Sequence, residues 1–212
     1  MNIFVLAWNV IVCASYYFDC HLNKIIIEIA QLLSSAKRIL DNSTVDLANL
    51  TLSNLQDNNT KYYQVTHKSH PVAIWMRESK ANFDWSISLA EELQKEWQYR
   101  NNHMKEHKCM EIIRWLRDNP PLRFETDSDV MTPFRLAIAY KECIVENDVV
   151  QSYRNYYQHP SKQEFASWKK RGIPDWYIIN PDYFQKRLTA GGGFKRKPVK
   201  ETKKRMRKQD VQ

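Results

Sequence analysis

"DCHLNKIIIEIAQLLSSAKR", Asp19 to Arg38, is a run of Ile and Leu broken at His21, Lys24, Glu28, Gln31 and Ser35. The steps between those five residues are three, four, three and four. At 100° per residue they fall within an arc of roughly 80° on one helix. Leu22, Ile25, Ile26, Ile29, Leu33, Ala36 and Leu40 fill the neighbouring faces. The spacing therefore predicts a largely buried helix with one narrow polar stripe. Buried polar groups need partners or a purpose. The same pattern also suits a surface helix on which Lys24 and Glu28 form a solvated pair one turn apart.

Outward from this stretch the chain reads as mainly α: a compact single-domain helical bundle of six or seven helices. The expected layout is a short buried strand, Asn2 to Leu6, then a first helix from about Val12 to Leu40. Residues 41–69 are rich in Asn and Thr and read as a polar loop or insertion. Pro71 opens a second helix reaching about Lys105, and "CMEIIRWLRDN" is a third, stopped by Pro120 and Pro121. "TPFRLAIAYKECI", "NDVVQSYRNYYQ", "PSKQEFASWKKRG" and "PDYFQKRL" are each helix-sized. The helical domain is expected to span residues 1–188, and 189–212, opened by the hinge "TAGGG", to be a flexible, disordered basic tail.

Charge is distributed unevenly. Of the net charge of +8, the last twenty residues carry +7: nine Lys/Arg against Glu201 and Asp210. Lys195, Arg196, Lys197, Lys203, Lys204, Arg205, Arg207 and Lys208 are therefore candidate nucleic-acid contacts, and the body is nearly neutral. The tail's composition also fits a nuclear-localisation signal.

Cys13, Cys20, Cys109 and Cys143 show no CxxC spacing. Cys13 and Cys20 are two helical turns apart, too far along one helix for a disulfide, so reduced thiols in an intracellular protein are expected. The uncharged start, Met1 to Phe18, lacks the basic region of a signal peptide, and Asn2 and Asn9 interrupt it. No membrane association is expected. Three N-x-S/T sequons begin at Asn42, Asn49 and Asn58, within the Asn-rich segment.

His103 and His107 are spaced as metal ligands on a helix can be, with Cys109 beyond, but no third ligand or adjacent Glu completes a site. No metal and no cofactor are expected. Between Tyr153 and Tyr177, aromatic residues alternate with Arg154, Lys162, Lys169, Lys170 and Arg171. Such a pattern suits a groove that stacks bases while cations hold phosphates. It equally suits core aromatics on short helices with the cations on the wet side.

The blocks "MNIFVL", "DCHLNKIIIEIAQLLSSAKR", "HPVAIWMRESKANFDW", "EWQYRNNHMKEHK" and "VVQSYRNYYQHPSKQEFASWKKRGIPDWY" resemble successive segments of a family of small proteins from phages and large DNA viruses. The resemblance covers most of residues 1–178 apart from the Asn-rich insertion. More distantly, Asp19, His21, Leu22 and Glu28 stand at the spacing found on the first helix of pyrimidine-dimer DNA glycosylases of the endonuclease V type. Ile27 and Gln31 stand where those enzymes carry basic residues.

That resemblance implies a base-excision glycosylase and abasic-site lyase. The N-terminal amine, here that of Met1, would attack the sugar C1′ and form a Schiff base with DNA, with Glu28 as the acid that stabilises the cationic sugar. The residue types suit the chemistry: α-amines titrate near 8, and a carboxylate close to C1′ stabilises developing positive charge where water is excluded. Lys24, one turn before Glu28, is a second candidate amine. His21, Gln31, Arg77 and Arg154 are the candidate nucleic-acid contacts of the body. The expected partner is double-stranded DNA or another nucleic acid, in the host cytoplasm or nucleus, or within a virion. Two alternatives stand beside this reading: a non-catalytic viral nucleic-acid-binding or virion protein, and a nucleotide-processing enzyme using the same stripe.

Overall fold

The computed structural model describes residues 1–41 and 62–180. Met1–Ile179 form one compact unit; the second unit, Asn180–Gln212, lies almost wholly outside the described residues, as does most of the Asn-rich segment. Seven α-helices are present among the described residues: α1 Val10–Tyr16, α2 Asp19–Asp41, α3 Pro71–Glu78, α4 Lys80–Asn101, α5 Cys109–Asp118, α6 Val149–Gln158 and α7 Pro160–Gln163. A short 3-10 turn, Lys141–Cys143, precedes α6. The mainly α expectation holds.

Helix α2 is the axis of the core. It packs against α3, α4 and α5, while α1 lies on α4, and α6 packs on α7 and the 3-10 turn. Its apolar faces, including Leu22, Ile25, Ile26, Ile29 and Leu33, are fully buried. Burial on that scale contributes about 1.5–3 kcal/mol per large side chain, offset by the entropy of ordering it. Even Arg38 is buried, its guanidinium donating to the Tyr62 and Tyr63 carbonyls and lying 4.2 Å from the Tyr62 ring.

Several expectations are corrected. Asn2 to Leu6 forms no strand; it is an irregular buried segment whose polar groups go mainly to side chains. The Tyr17 hydroxyl takes the Phe4 N–H and donates to the Phe4 carbonyl, both at 2.9 Å. The first helix is two, parted at Tyr17 and Phe18, and no Pro or Gly causes the break. Tyr17 is extended there, its carbonyl accepts from Arg100 at 2.8 Å, and Phe18 inserts between Tyr157 and Trp168. The second helix is likewise two, because Ser79 is extended and caps α4 through the Asn82 N–H.

"TPFRLAIAY" is not helical. It runs as a strap whose backbone groups are met by side chains of other elements. Thr132 donates its N–H to Asn82 and accepts from the Trp75 indole, while Ala137 accepts from Asn2 and donates to Tyr153. With those partners supplied, the helical ladder is not needed to satisfy the backbone. Of "PSKQEFASWKKRG" only Pro160–Gln163 is helical, and "PDYFQKRL" lies outside the described residues.

The ends of the outer helices follow local chemistry. Asn102 closes α4 in the left-handed conformation, which Asn tolerates. Asp148 caps α6 by accepting the Gln151 N–H, and His159 with Pro160 opens α7. No helix among the described residues is long and apolar enough to cross a membrane.

Candidate functional site

The polar stripe of α2 meets the start of the chain. Glu28 is buried, yet its carboxylate is fully engaged: Oε2 accepts the Asn2 main-chain N–H at 2.7 Å, and Oε1 lies 3.2 Å from the Lys24 ammonium. The Asn2 side chain fixes that approach. Its amide donates to the Ala137 carbonyl at 2.7 Å and accepts from the Tyr153 hydroxyl at 3.1 Å. The strap, α6 and α2 thus converge on Asn2, and Met1 is carried to the mouth of the stripe.

His70, which caps α3, faces the same point. Its Nδ1 accepts the Val72 N–H at 3.3 Å. Burial lowers its pKa, the terminal amine and His67 lower it further, and Glu28 and the Met1 carbonyl act against them. The terminal amine and Glu28 thus act on His70 in opposite directions. Neither Asn2 nor His70 stands out in the sequence as a site residue; the only signal is that Asn2 interrupts an apolar run.

His21 lies deeper than expected. It is 6% exposed, stacked between Phe4 and Phe18, with Nδ1 2.8 Å from the Tyr157 hydroxyl. Burial drives its pKa down to about 3, with the charges of Lys162 and Lys24 adding to the fall. Burial thus favours its uncharged form, and its contacts make it a packing group between Phe4, Phe18 and Tyr157.

Lys24 is more than half exposed and paired to Glu28. Gln31 continues the stripe, half-buried, one turn beyond Glu28. Ser35 turns inward, donating to the Gln31 and Thr66 carbonyls and accepting the Thr66 N–H.

The two candidate arginines, Arg77 and Arg154, stand elsewhere. Arg77 is buried and donates to the Lys68 and Ala73 carbonyls and to Glu125, so it acts as a brace for α3 and does not face an open surface. Arg154 donates to the Leu6 carbonyl at 3.1 Å and lies over the Tyr16 and Trp176 rings. Lys195, Arg196, Lys197, Lys203, Lys204, Arg205, Arg207 and Lys208 lie outside the described residues.

The aromatic run from Tyr153 to Tyr177 is largely core. Tyr153 and Tyr157 are fully buried and Tyr156 and Tyr177 nearly so, their rings contacting Phe4, Phe18 and Trp168. These buried rings cannot stack a base. His107 accepts the Cys109 N–H, and His103 packs on Trp97. No cluster of His, Cys, Asp and Glu suited to a metal ion occurs among the described residues.

The chain matches no protein-family model, no curated protein and no solved structure.

Proposed function

We propose that this is a DNA-acting protein of the base-excision type, a glycosylase and abasic-site lyase using the amine of Met1 and the carboxylate of Glu28. The observation that supports the reading is the 2.7 Å contact between Glu28 and the Asn2 main chain, which holds the chain start beside a buried acid. In the step envisaged, the amine lone pair attacks C1′, the glycosidic bond breaks with its electron pair leaving on the base, which takes up a proton, and the amine nitrogen gives up a proton; the C1′–O4′ bond then breaks with its electron pair going to O4′, which is protonated, as the nitrogen lone pair forms the C1′ iminium. The resulting iminium carries a positive charge that Glu28 stabilises, and loss of the C2′ proton then expels the 3′ phosphate. The partner is duplex DNA and the location intracellular, in host cytoplasm, nucleus or virion.

A second reading is favoured by one specific feature. Both Glu28 oxygens are already engaged, by Asn2 and by Lys24. On that reading the stripe is architecture and the protein works by binding nucleic acid through its basic tail.

Incision of ultraviolet-irradiated against undamaged duplex separates the two. The first reading expects cleavage confined to irradiated DNA and lost in Glu28→Gln. Salt-sensitive binding to both duplexes without cleavage supports the second.

A further inference from the structure

Lys162, in α7, is a lysine whose surroundings are at odds with its charge. Its ammonium lies 4.9 Å from the Tyr156 ring centroid and 5.8 Å from that of Phe4. No ion pair joins it to a carboxylate of the described residues, and it is half-buried. Phe4 in turn stacks on His21 with ring centroids 4.9 Å apart, so Lys162 overlooks the polar stripe of α2.

The charges nearby do not balance. Burial first and the Lys24 ammonium next hold the Lys162 pKa below its usual value, while Cys20 and Glu28 act against them. Glu28 is already matched by Lys24 at 3.2 Å. His21 is neutral. Lys162 reaches His21 through the Phe4 ring, and Lys24 stands one turn beyond His21 on α2, so two ammonium groups border this stretch of the stripe, one paired with Glu28 and the other resting on aromatic faces that stabilise a cation without neutralising it. Holding like charges together is unfavourable unless an anion completes the group.

We propose that Lys162 and Lys24 form a phosphate-binding pair on the rim of the Glu28 stripe, taking one phosphodiester of a nucleic-acid backbone. The inference rests on the reading of this stripe as the working site and deepens it, because it sets one phosphodiester of the substrate at the edge of the stripe that holds Glu28. The pairing also explains how a nearly neutral body registers a substrate whose bulk affinity comes from the tail. A lysine is a compact point charge that holds a phosphate oxygen without fixing base identity.

Reductive methylation of the full-length protein with 13C-formaldehyde keeps each lysine charged and gives it its own NMR signal, with Lys162 assigned by its absence from Lys162→Arg and Lys24 from Lys24→Arg. Spectra are recorded with an undamaged duplex, with inorganic phosphate, and with chloride at matched ionic strength. The expected result is that the duplex moves both signals and raises the Lys162 pKa, while chloride does neither. In the unlabelled protein, Lys162→Met is then expected to reduce the slope of log affinity against log salt by about 0.9, and Lys162→Arg to preserve it. Movement with inorganic phosphate but not with duplex overturns the nucleic-acid backbone as occupant. Signals that follow the chloride control throughout overturn the pair itself. Neither readout depends on adduct formation or incision, so a protein without lyase activity still tests the site.

Discussion

The Glu28 carboxylate accepts the Asn2 main-chain N–H at 2.7 Å, bridging twenty-six residues of sequence inside the core. This bond decides what Glu28 substitutions report. Glu28→Gln keeps a carbonyl oxygen for Asn2 but gives up the charge that Lys24 and a cationic sugar would meet. Its stability is expected to stay within about 1 kcal/mol of wild type, whereas Glu28→Ala orphans the Asn2 N–H and costs about 1–3 kcal/mol. Urea unfolding checks both. Equal losses in the two variants would show that the charge, not the hydrogen bond, carries the structural role.

Tyr153 holds the other side of Asn2. Its hydroxyl donates to the Asn2 side chain at 3.1 Å and accepts from Ala137 at 3.3 Å. Tyr153→Phe removes both bonds without removing the ring. The expected cost is about 1–3 kcal/mol, with hydrogen exchange at the Asn2 and Phe4 amides accelerating before the core of α2 does. Unchanged exchange at those amides would sever Tyr153 from the placement of the chain start.

Acid should weaken the fold through histidine. Burial holds His21 at about 3, against about 6.5 when unfolded. Above about 6.5 the group is neutral in both states and its contribution is complete. As pH falls toward 3 the unfolded chain takes up a proton that the folded chain refuses, and stability drops. His70 and His107, also lowered by burial, act in the same direction. Urea midpoints are expected to decline steadily below pH 6.5, less steeply in His21→Phe. Identical slopes in the two proteins would contradict the environment described for His21.

Arg100 ties the break between α1 and α2 to α4. Fully buried, it donates to the Tyr17 and Ser15 carbonyls at 2.8 Å each, to Asp19 at 3.0 Å and to Glu96 at 2.6 Å. Glu96 is shared with Arg171, at 2.7 Å. Arg100→Met leaves two carbonyls and the Asp19 carboxylate short of a donor, and a loss of about 3–5 kcal/mol is expected by chemical denaturation. Arg100→Lys recovers little, since one ammonium cannot reach four acceptors in a planar fork.

All four cysteines are free, and burial raises the pKa of each, Cys13 to about 11. Thiolates are the reactive species. A disulfide-exchange reagent at pH 7.5 is expected to leave Cys13 untouched in the folded protein and to modify all four on unfolding. Rapid labelling of Cys13 in the folded state would mean that the segment from Phe4 to Tyr17 opens readily.

The α2 stripe was legible because a single physical rule, apolar faces at helical period, produced it, and α5 and α6 were legible for the same reason. The breaks at Tyr17 and Ser79 were not. No Pro or Gly marks them; the first is set by distant partners, Arg100 and Phe4, and the second by extended Ser79 capping α4 through the Asn82 N–H three residues on. The strap through Thr132 and Ala137 has a helix-like composition, but its backbone is satisfied by Asn82, Trp75, Asn2 and Tyr153, residues far apart in sequence. Of the site, His21, Lys24 and Glu28 came from spacing on one helix. Asn2, His70 and Lys162 join them only through the fold, and Lys162 looked no different from Lys169 or Lys170 in its aromatic, cationic run. Arg77 was visible as a charge, but its burial was not.

The most direct test of the Met1 and Glu28 chemistry is borohydride trapping on irradiated, undamaged and abasic duplexes, with the adducted residue mapped by mass spectrometry. Abasic DNA traps many amines, so the undamaged duplex and Glu28→Gln carry the decision. The account expects an adduct at the Met1 amine on irradiated DNA, absent from undamaged DNA and lost in Glu28→Gln, with Lys24→Met still trapping. No adduct on irradiated DNA, or one formed equally well by Glu28→Gln, would contradict it.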